Sequence, residues 1–149
     1  MLNNPECPNN NSEPIESGMS LLLAKIDSAW RLLKFTVRRR VKGFEIGDQP
    51  WMDDDSRECF DRMLRNSARY LEYGSGGSTV LAKRLGKAFI SVDTDPFMVK
   101  SVGRRVGKLA PDQHLLYANI GWTGIQGFPV FRSLNGSRRR RWKAYVELP

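Results

Sequence analysis

The stretch Tyr70-Leu71-Glu72-Tyr73-Gly74-Ser75-Gly76-Gly77-Ser78-Thr79, followed by Ala88-Phe89-Ile90-Ser91-Val92-Asp93, decides how this chain is read. Tyr70 to Tyr73 is short, aromatic and bounded by a glycine cluster, which predicts a strand. Gly74-Ser75-Gly76-Gly77 is the turn, and Ser78 to Leu85 resumes helical spacing through Val80, Leu81 and Leu85 before Gly86 at a C-terminal cap position. Ala88 to Val92 is a second strand. Asp95-Pro96 then starts a helix, with aspartate as N-cap and proline at the first helical position. Met98, Val99, Val102, Val106 and Leu109 give that helix its apolar side, and Leu115 to Ala118, entered from His114, is a third strand. Strand, glycine turn, helix, strand, helix, strand is the order of a right-handed βαβαβ unit with parallel strands. The fold class is therefore α/β, a Rossmann-like three-layer arrangement with an incomplete parallel sheet of order 3-2-1, extended at most by a fourth strand.

In such sheets ligands sit outside the carboxyl ends of the strands, where the topology changes direction. Glu72 to Gly77, Asp93 and Asn119 map to that edge. Glycine removes both the φ restriction and the side-chain bulk, so the backbone at Gly74 and Gly76 turns sharply and approaches a ligand closely. The helix that follows aims unpaired N–H groups into the same crevice. A carboxylate at Asp93, 19 residues beyond Gly74, suits both hydroxyls of a ribose. Adenosine occurs in dinucleotides and in S-adenosylmethionine, so these features leave both open. Glu72 separates them. A carboxylate two positions before the first glycine repels a pyrophosphate by Coulomb's law and suits a sulfonium ligand with a free ammonium group. Thr79, where a dinucleotide fingerprint has its third glycine, points the same way.

From Tyr70 to about Pro129 the chain resembles the class I S-adenosylmethionine-dependent methyltransferases. Leu71-Glu72-Tyr73-Gly74-Ser75-Gly76 is similar to their acidic-x-Gly-x-Gly signature, and Ser91-Val92-Asp93-Thr94-Asp95 to the acidic end of their second strand. The resemblance implies S-adenosyl-L-methionine as cofactor, bound by Glu72, Gly74, Ser75, Gly76, Gly77, Ser78, Asp93, Asp95 and Asn119. Gly74, Gly76 and Gly77 would cradle the methionine end, and Glu72 would lie near its amino group or support the loop. Asp93 would grip the ribose. Asp95 is read as a helix cap as well, and Asn119 stands where the family often has an acid near adenine. The segment Gly121 to Pro129 reads as a rim loop over the cofactor. No catalytic residue and no metal ligand is assigned. Two alternatives are a nonenzymatic basic module and an NAD(P)-binding Rossmann fragment.

The flanks carry the charge. Of 24 Lys and Arg in 149 residues, seven lie between Lys25 and Lys42 and five between Arg138 and Lys143, within a formal net charge of +8. Nucleic acid is thus a possible partner through Arg38-Arg40 and Arg138-Arg141. Leu22, Ile26, Trp30, Leu33 and Val37 recur at helical steps and predict a basic amphipathic helix with one face on the domain. Residues 1–18 read as a disordered leader and 19–54 as that helix plus an acidic linker. A helix starting near Asp55, capped by that aspartate with Glu58 in a capping box, opens a partial methyltransferase-like domain over 55–149. No apolar run is long enough for a bilayer-spanning helix. With only Cys7 and Cys59, neither in a metal-type pair, a reducing cytoplasmic setting is expected. Trp142 to Leu148 is expected to give one further short strand at most. A fold with seven strands would then be incomplete, as in a truncated product, a decayed copy or a protein completed by a partner. It would leave the edge of Tyr70–Tyr73 free for a protein partner or self-association.

Overall fold

The structure, a computed structural model, describes residues 18–133 and 135–149. The expected disordered leader lies almost wholly outside them. The described residues fall into two compact units, divided between Arg31 and Leu32. Helix α1 (Gly18–Val41) contributes to both. In the first unit its described part is helical throughout, and Arg31 pairs with Asp27 across one turn.

The second unit follows the expected order: α2 (Asp54–Asn66), β1 (Arg69–Tyr73), α3 (Gly77–Arg84), β2 (Ala88–Asp93), α4 (Pro96–Val106), β3 (Gln113–Tyr117), a short 3-10 turn (Ile125–Gly127) and α5 (Gly136–Glu147). The three strands form one parallel sheet in the order β1-β2-β3. Tyr70 stands opposite Phe89 and Glu72 opposite Ser91, while Ser91 meets Leu115 on the other side. With side chains alternating along each strand, Tyr70, Glu72, Phe89 and Ser91 share one face. Leu64, Leu81, Ala82 and Phe89 build the core there, flanked by Phe60, Tyr70, Leu85 and Leu109. The ring of Phe60 meets Tyr70 edge-on at 5.8 Å. This is a Rossmann-like α/β fold, and the sequence pattern dictates it: an apolar, β-branched β2 between two helices that each begin where a strand ends.

Four local expectations are corrected or extended. The cap of α2 is Asp53, whose carboxylate accepts from the Ser56 N–H at 2.9 Å and from its hydroxyl at 2.7 Å. Asp53-x-x-Ser56 closes a turn earlier than the one expected from Asp55 and Glu58. Trp142 to Glu147 is helical within α5. Asn135 accepts from the Arg138 N–H at 2.8 Å, and the arginine run that follows has good helix propensity. No fourth strand is present among the described residues, and β1 is paired through β2 alone.

The third correction of this set concerns α1. In the second unit, Leu33 and Val37 are each more than half exposed. Within the second unit, the inward positions of α1 are instead Leu32, Phe35, Thr36 and Arg39. A buried arginine among aromatic rings explains why a purely apolar periodicity pointed elsewhere. Finally, the acidic segment after α1 does more than connect: its residues 45–52 pack over the glycine turn, as described below. No helix among the described residues is long and apolar enough to cross a membrane.

Candidate functional site

At the carboxyl edge of the sheet the chain leaves β1 through Gly74, whose φ of +104° favours glycine over any side chain with a Cβ. Nothing lies within 4 Å of where a Cβ on Gly74 or Gly76 would stand. The bare main chain therefore faces open space. Gly77 is required for the opposite reason, because a Cβ there would lie 1.9 Å from the carbonyl oxygen of Gln49. Residues 45–52 thus form a strap against the start of α3. The strap is tied to α4 by an Asp48–Arg105 ion pair and by the Phe44 N–H donating to Ser101 Oγ at 3.0 Å. Replacing Gly77 with alanine should displace the strap and cost about 1–3 kcal/mol by overpacking. Urea unfolding gives the loss, and faster proteolysis within residues 45–52 shows the displacement.

Two hollows adjoin the glycine turn. One, of about 500 Å³, is lined by Asp93, Thr94 and Asp95 together with Phe35, Phe128 and Tyr145. The other, of about 940 Å³, lies under the strap and is lined by Glu72, Gly76, Gly77 and Ser78, with Trp51 and Arg57 at its edge. Tyr73, Gly74, Ser75 and Met98 line both, so the turn divides one cleft into two chambers. Both chambers are of the size that takes a small ligand. Glu72 and Asp93 do not share a single hollow; each faces its own, on either side of Gly74.

The carboxylate of Asp93 is buried. Its Oδ2 accepts from the Ser75 N–H at 2.7 Å and its Oδ1 from the Asp95 N–H at 2.8 Å. Burial pushes its pKa above the ordinary carboxylate value, although these backbone donors pull the other way. Each oxygen keeps a lone pair for a further donor. Glu72, also buried, accepts from the hydroxyls of Tyr70 (2.8 Å), Ser78 and Thr79. Burial and the neighbouring Glu72 carboxylate push the Tyr70 phenol well above its usual range, so it stays a donor. Thr79, fully buried, also accepts from the Gly76 N–H at 3.0 Å, and Ser75 and Ser91 share a hydroxyl hydrogen bond. The threonine that departs from the dinucleotide fingerprint is therefore a bracket between strand, turn and helix.

The remaining expected residues fall differently. Asp95 lines the first hollow and caps α4, accepting from the Phe97 N–H at 2.9 Å. Its carboxylate is also neutralised by Arg39 at 2.7 Å, with both side chains 5% exposed. Asn119 is exposed, lines neither hollow and folds back to accept from the Gly121 N–H at 3.0 Å. The rim loop does border the first hollow through Gln126, Gly127, Phe128 and Pro129, held by Thr94 Oγ1 donating to the Gly127 carbonyl at 3.0 Å. Phe35, Tyr145 and the strap with Trp51 were not assigned to the site from the sequence, and Met98 and Arg39 were read only as a helix's apolar side and as part of a nucleic-acid contact. Only the aromatics Phe44 and Trp51 inside a Gly/Pro segment offered a signal. Among the described residues no His, Cys, Asp and Glu cluster is arranged to hold a metal ion.

A parallel sheet with a bare glycine turn at its carboxyl edge, and a buried acid ending the next strand, defines a Rossmann-like domain built around that turn. The chain is similar over 66% of its length to a solved crystal structure of a methyltransferase-like protein from Silicibacter pomeroyi DSS-3, with 28% identity and a TM-score of 0.54. It spans about half of that protein, 53% of its chain. The fold is thus methyltransferase-like. No protein-family model matches the chain, and a search of curated proteins finds no match.

Proposed function

We propose that this chain binds S-adenosyl-L-methionine across the divided cleft and takes part in methyl transfer. The observation that carries this reading is electrostatic. Two buried carboxylates, Glu72 and Asp93, flank the turn, and neither has an ion-pair partner among the described residues. Hydroxyls and backbone N–H groups hold them in place without cancelling their charge. A ligand with a sulfonium and an ammonium group matches that field; a pyrophosphate is repelled by it. The residues present fit the ligand: Asp93 has acceptor capacity left for ribose hydroxyls, and the bare turn has open space beside it. The methyltransferase-like neighbour supports the same reading.

The ligand supplies an activated methyl group. Gly74, Gly76 and Gly77 would hold its methionine end and Asp93 its ribose. What the chain contributes is alignment and exclusion of water by strap and rim loop. We assign no general base. Titration with S-adenosylmethionine and S-adenosylhomocysteine should raise the unfolding midpoint, in proportion to RT ln(1 + [L]/Kd). An unchanged midpoint at millimolar ligand refutes the reading.

A further inference from the structure

The basic residues of the C-terminal segment lie outside the lining of both hollows. From Gln113 to Val146 there is no acidic residue, while Arg132, Arg138, Arg139, Arg140, Arg141 and Lys143 all fall there. Helix α5 carries five of these, and its one ion pair among the described residues is Lys143 with Glu147 at 3.2 Å. Arg139, Arg140 and Arg141 are exposed. The helix is charged backwards: Arg138 lies in its first turn and Glu147 at its end, each disfavoured by the helix dipole. That arrangement costs stability unless an anion covers the arginines.

Beside these cations stand exposed rings. Phe131 lies between Trp122, 6.3 Å away, and the Arg138 guanidinium, 5.5 Å above its face. Trp122, Phe128 and Phe131 are each more than half exposed. Helix α5 is fixed next to them by Trp142 Nε1 donating to the Ile120 carbonyl at 3.3 Å, and by Tyr145 packed edge-on against Tyr73 at 5.1 Å. Phe128 and Tyr145 also line the first hollow, so this surface runs to the mouth of the cleft.

We infer that this surface binds single-stranded nucleic acid, with phosphates on the exposed Arg139 and Arg140 and a base stacked on Trp122, and that the strand presents the methyl acceptor to the cleft. Charge selects a polyanion, and exposed aromatic faces select one with unstacked bases over a duplex or an acidic peptide. Four consecutive arginines point around the whole helix, leaving no apolar face of the kind that lies in a bilayer surface. The acceptor role rests on the adenosyl reading; strand binding does not.

The test is fluorescence anisotropy with a labelled 12-nucleotide single strand, the matching duplex and heparin, across a salt series without adenosyl ligand. The single strand should bind more tightly than the duplex. Trp122→Ala should weaken it about 5- to 150-fold, the range for loss of one stacked base. Arg139→Ala with Arg140→Ala should lower the slope of log K against log salt by about 1.4. Preference for duplex, absence of strand binding at low salt, or an unchanged affinity in Trp122→Ala each overturns the inference. Ligand titration of the same preparation keeps the two readings apart. Strand binding without adenosyl binding removes only the acceptor role, and adenosyl binding without strand binding removes only this inference.

Discussion

Arg39→Ala should destabilise the second unit by about 3–5 kcal/mol, because it leaves the Asp95 carboxylate buried without its cation. The pair is short, at 2.7 Å, and almost completely shielded from water. The guanidinium also lies over the rings of Phe35 and Phe97, at 5.2 and 5.4 Å. Its Nε has no hydrogen-bond partner among the described residues, so the pair is held by one strong contact and its packing. A double variant, Arg39→Met with Asp95→Asn, removes both charges and keeps the volume. It should recover most of the loss, since replacing a buried pair by neutral groups is often close to neutral. Urea unfolding of the three proteins reads both effects. A loss below about 1 kcal/mol in Arg39→Ala would mean that water reaches Asp95 and that the pair does not anchor α1 to the site.

Asp93→Ala should reduce adenosyl-ligand affinity about 100-fold, the scale of losing hydrogen bonds to a charged acceptor. It also frees the N–H groups of Ser75 and Asp95, so the turn loses its anchor to β2. Asp93→Asn separates the two consequences, keeping the shape and one carbonyl acceptor while removing the charge. The pH dependence follows from the raised pKa. Ligand binding needs the carboxylate, so affinity should fall on acidification at higher pH than for an ordinary aspartate. Stability moves the other way. With the folded pKa above the unfolded one, this group's contribution is fully present below the unfolded value and is lost as pH rises through the folded value. Relative to Asp93→Asn, the natural protein should therefore gain stability on acidification over the window in which it loses ligand. Parallel losses of both would place the titration elsewhere.

Much of the central fold was legible because local signals agree there. Glycine after an aromatic strand, Asp95-Pro96 before an apolar helical stripe, and Gly86 after its helix each specify a boundary by backbone chemistry, whereas the stripe was run on to Leu109 past Gly107, which in fact caps α4 after Val106. Elements lacking such punctuation were misread. Trp142 to Leu148 alternates enough to pass for a strand, and its helix is decided by Asn135 and the arginines before it. The stripe Leu22 to Val37 has ideal helical spacing, yet the inward side of α1 in the second unit is the mixed set ending in Arg39. Periodicity weighs apolar residues and gives no credit to an arginine whose charge is matched 56 residues away. The placement of Glu72, Ser75 and Asp93 around the turn was legible because each is tied to it within the βαβ unit. The strap was not, since its fit over Gly77 is a single backbone approach between distant segments. Asn119 was placed by analogy of position alone, and its side chain instead closes a local turn.

The central claim is an adenosyl site whose charge is set by Glu72 and Asp93. Isothermal calorimetry of the natural protein and of Asp93→Ala, with S-adenosylmethionine, S-adenosylhomocysteine and NAD in turn, addresses it most directly. Both adenosyl ligands should bind the natural protein, NAD should not, and Asp93→Ala should lose the adenosyl heat while remaining folded. Binding of NAD with neither adenosyl ligand would contradict the account.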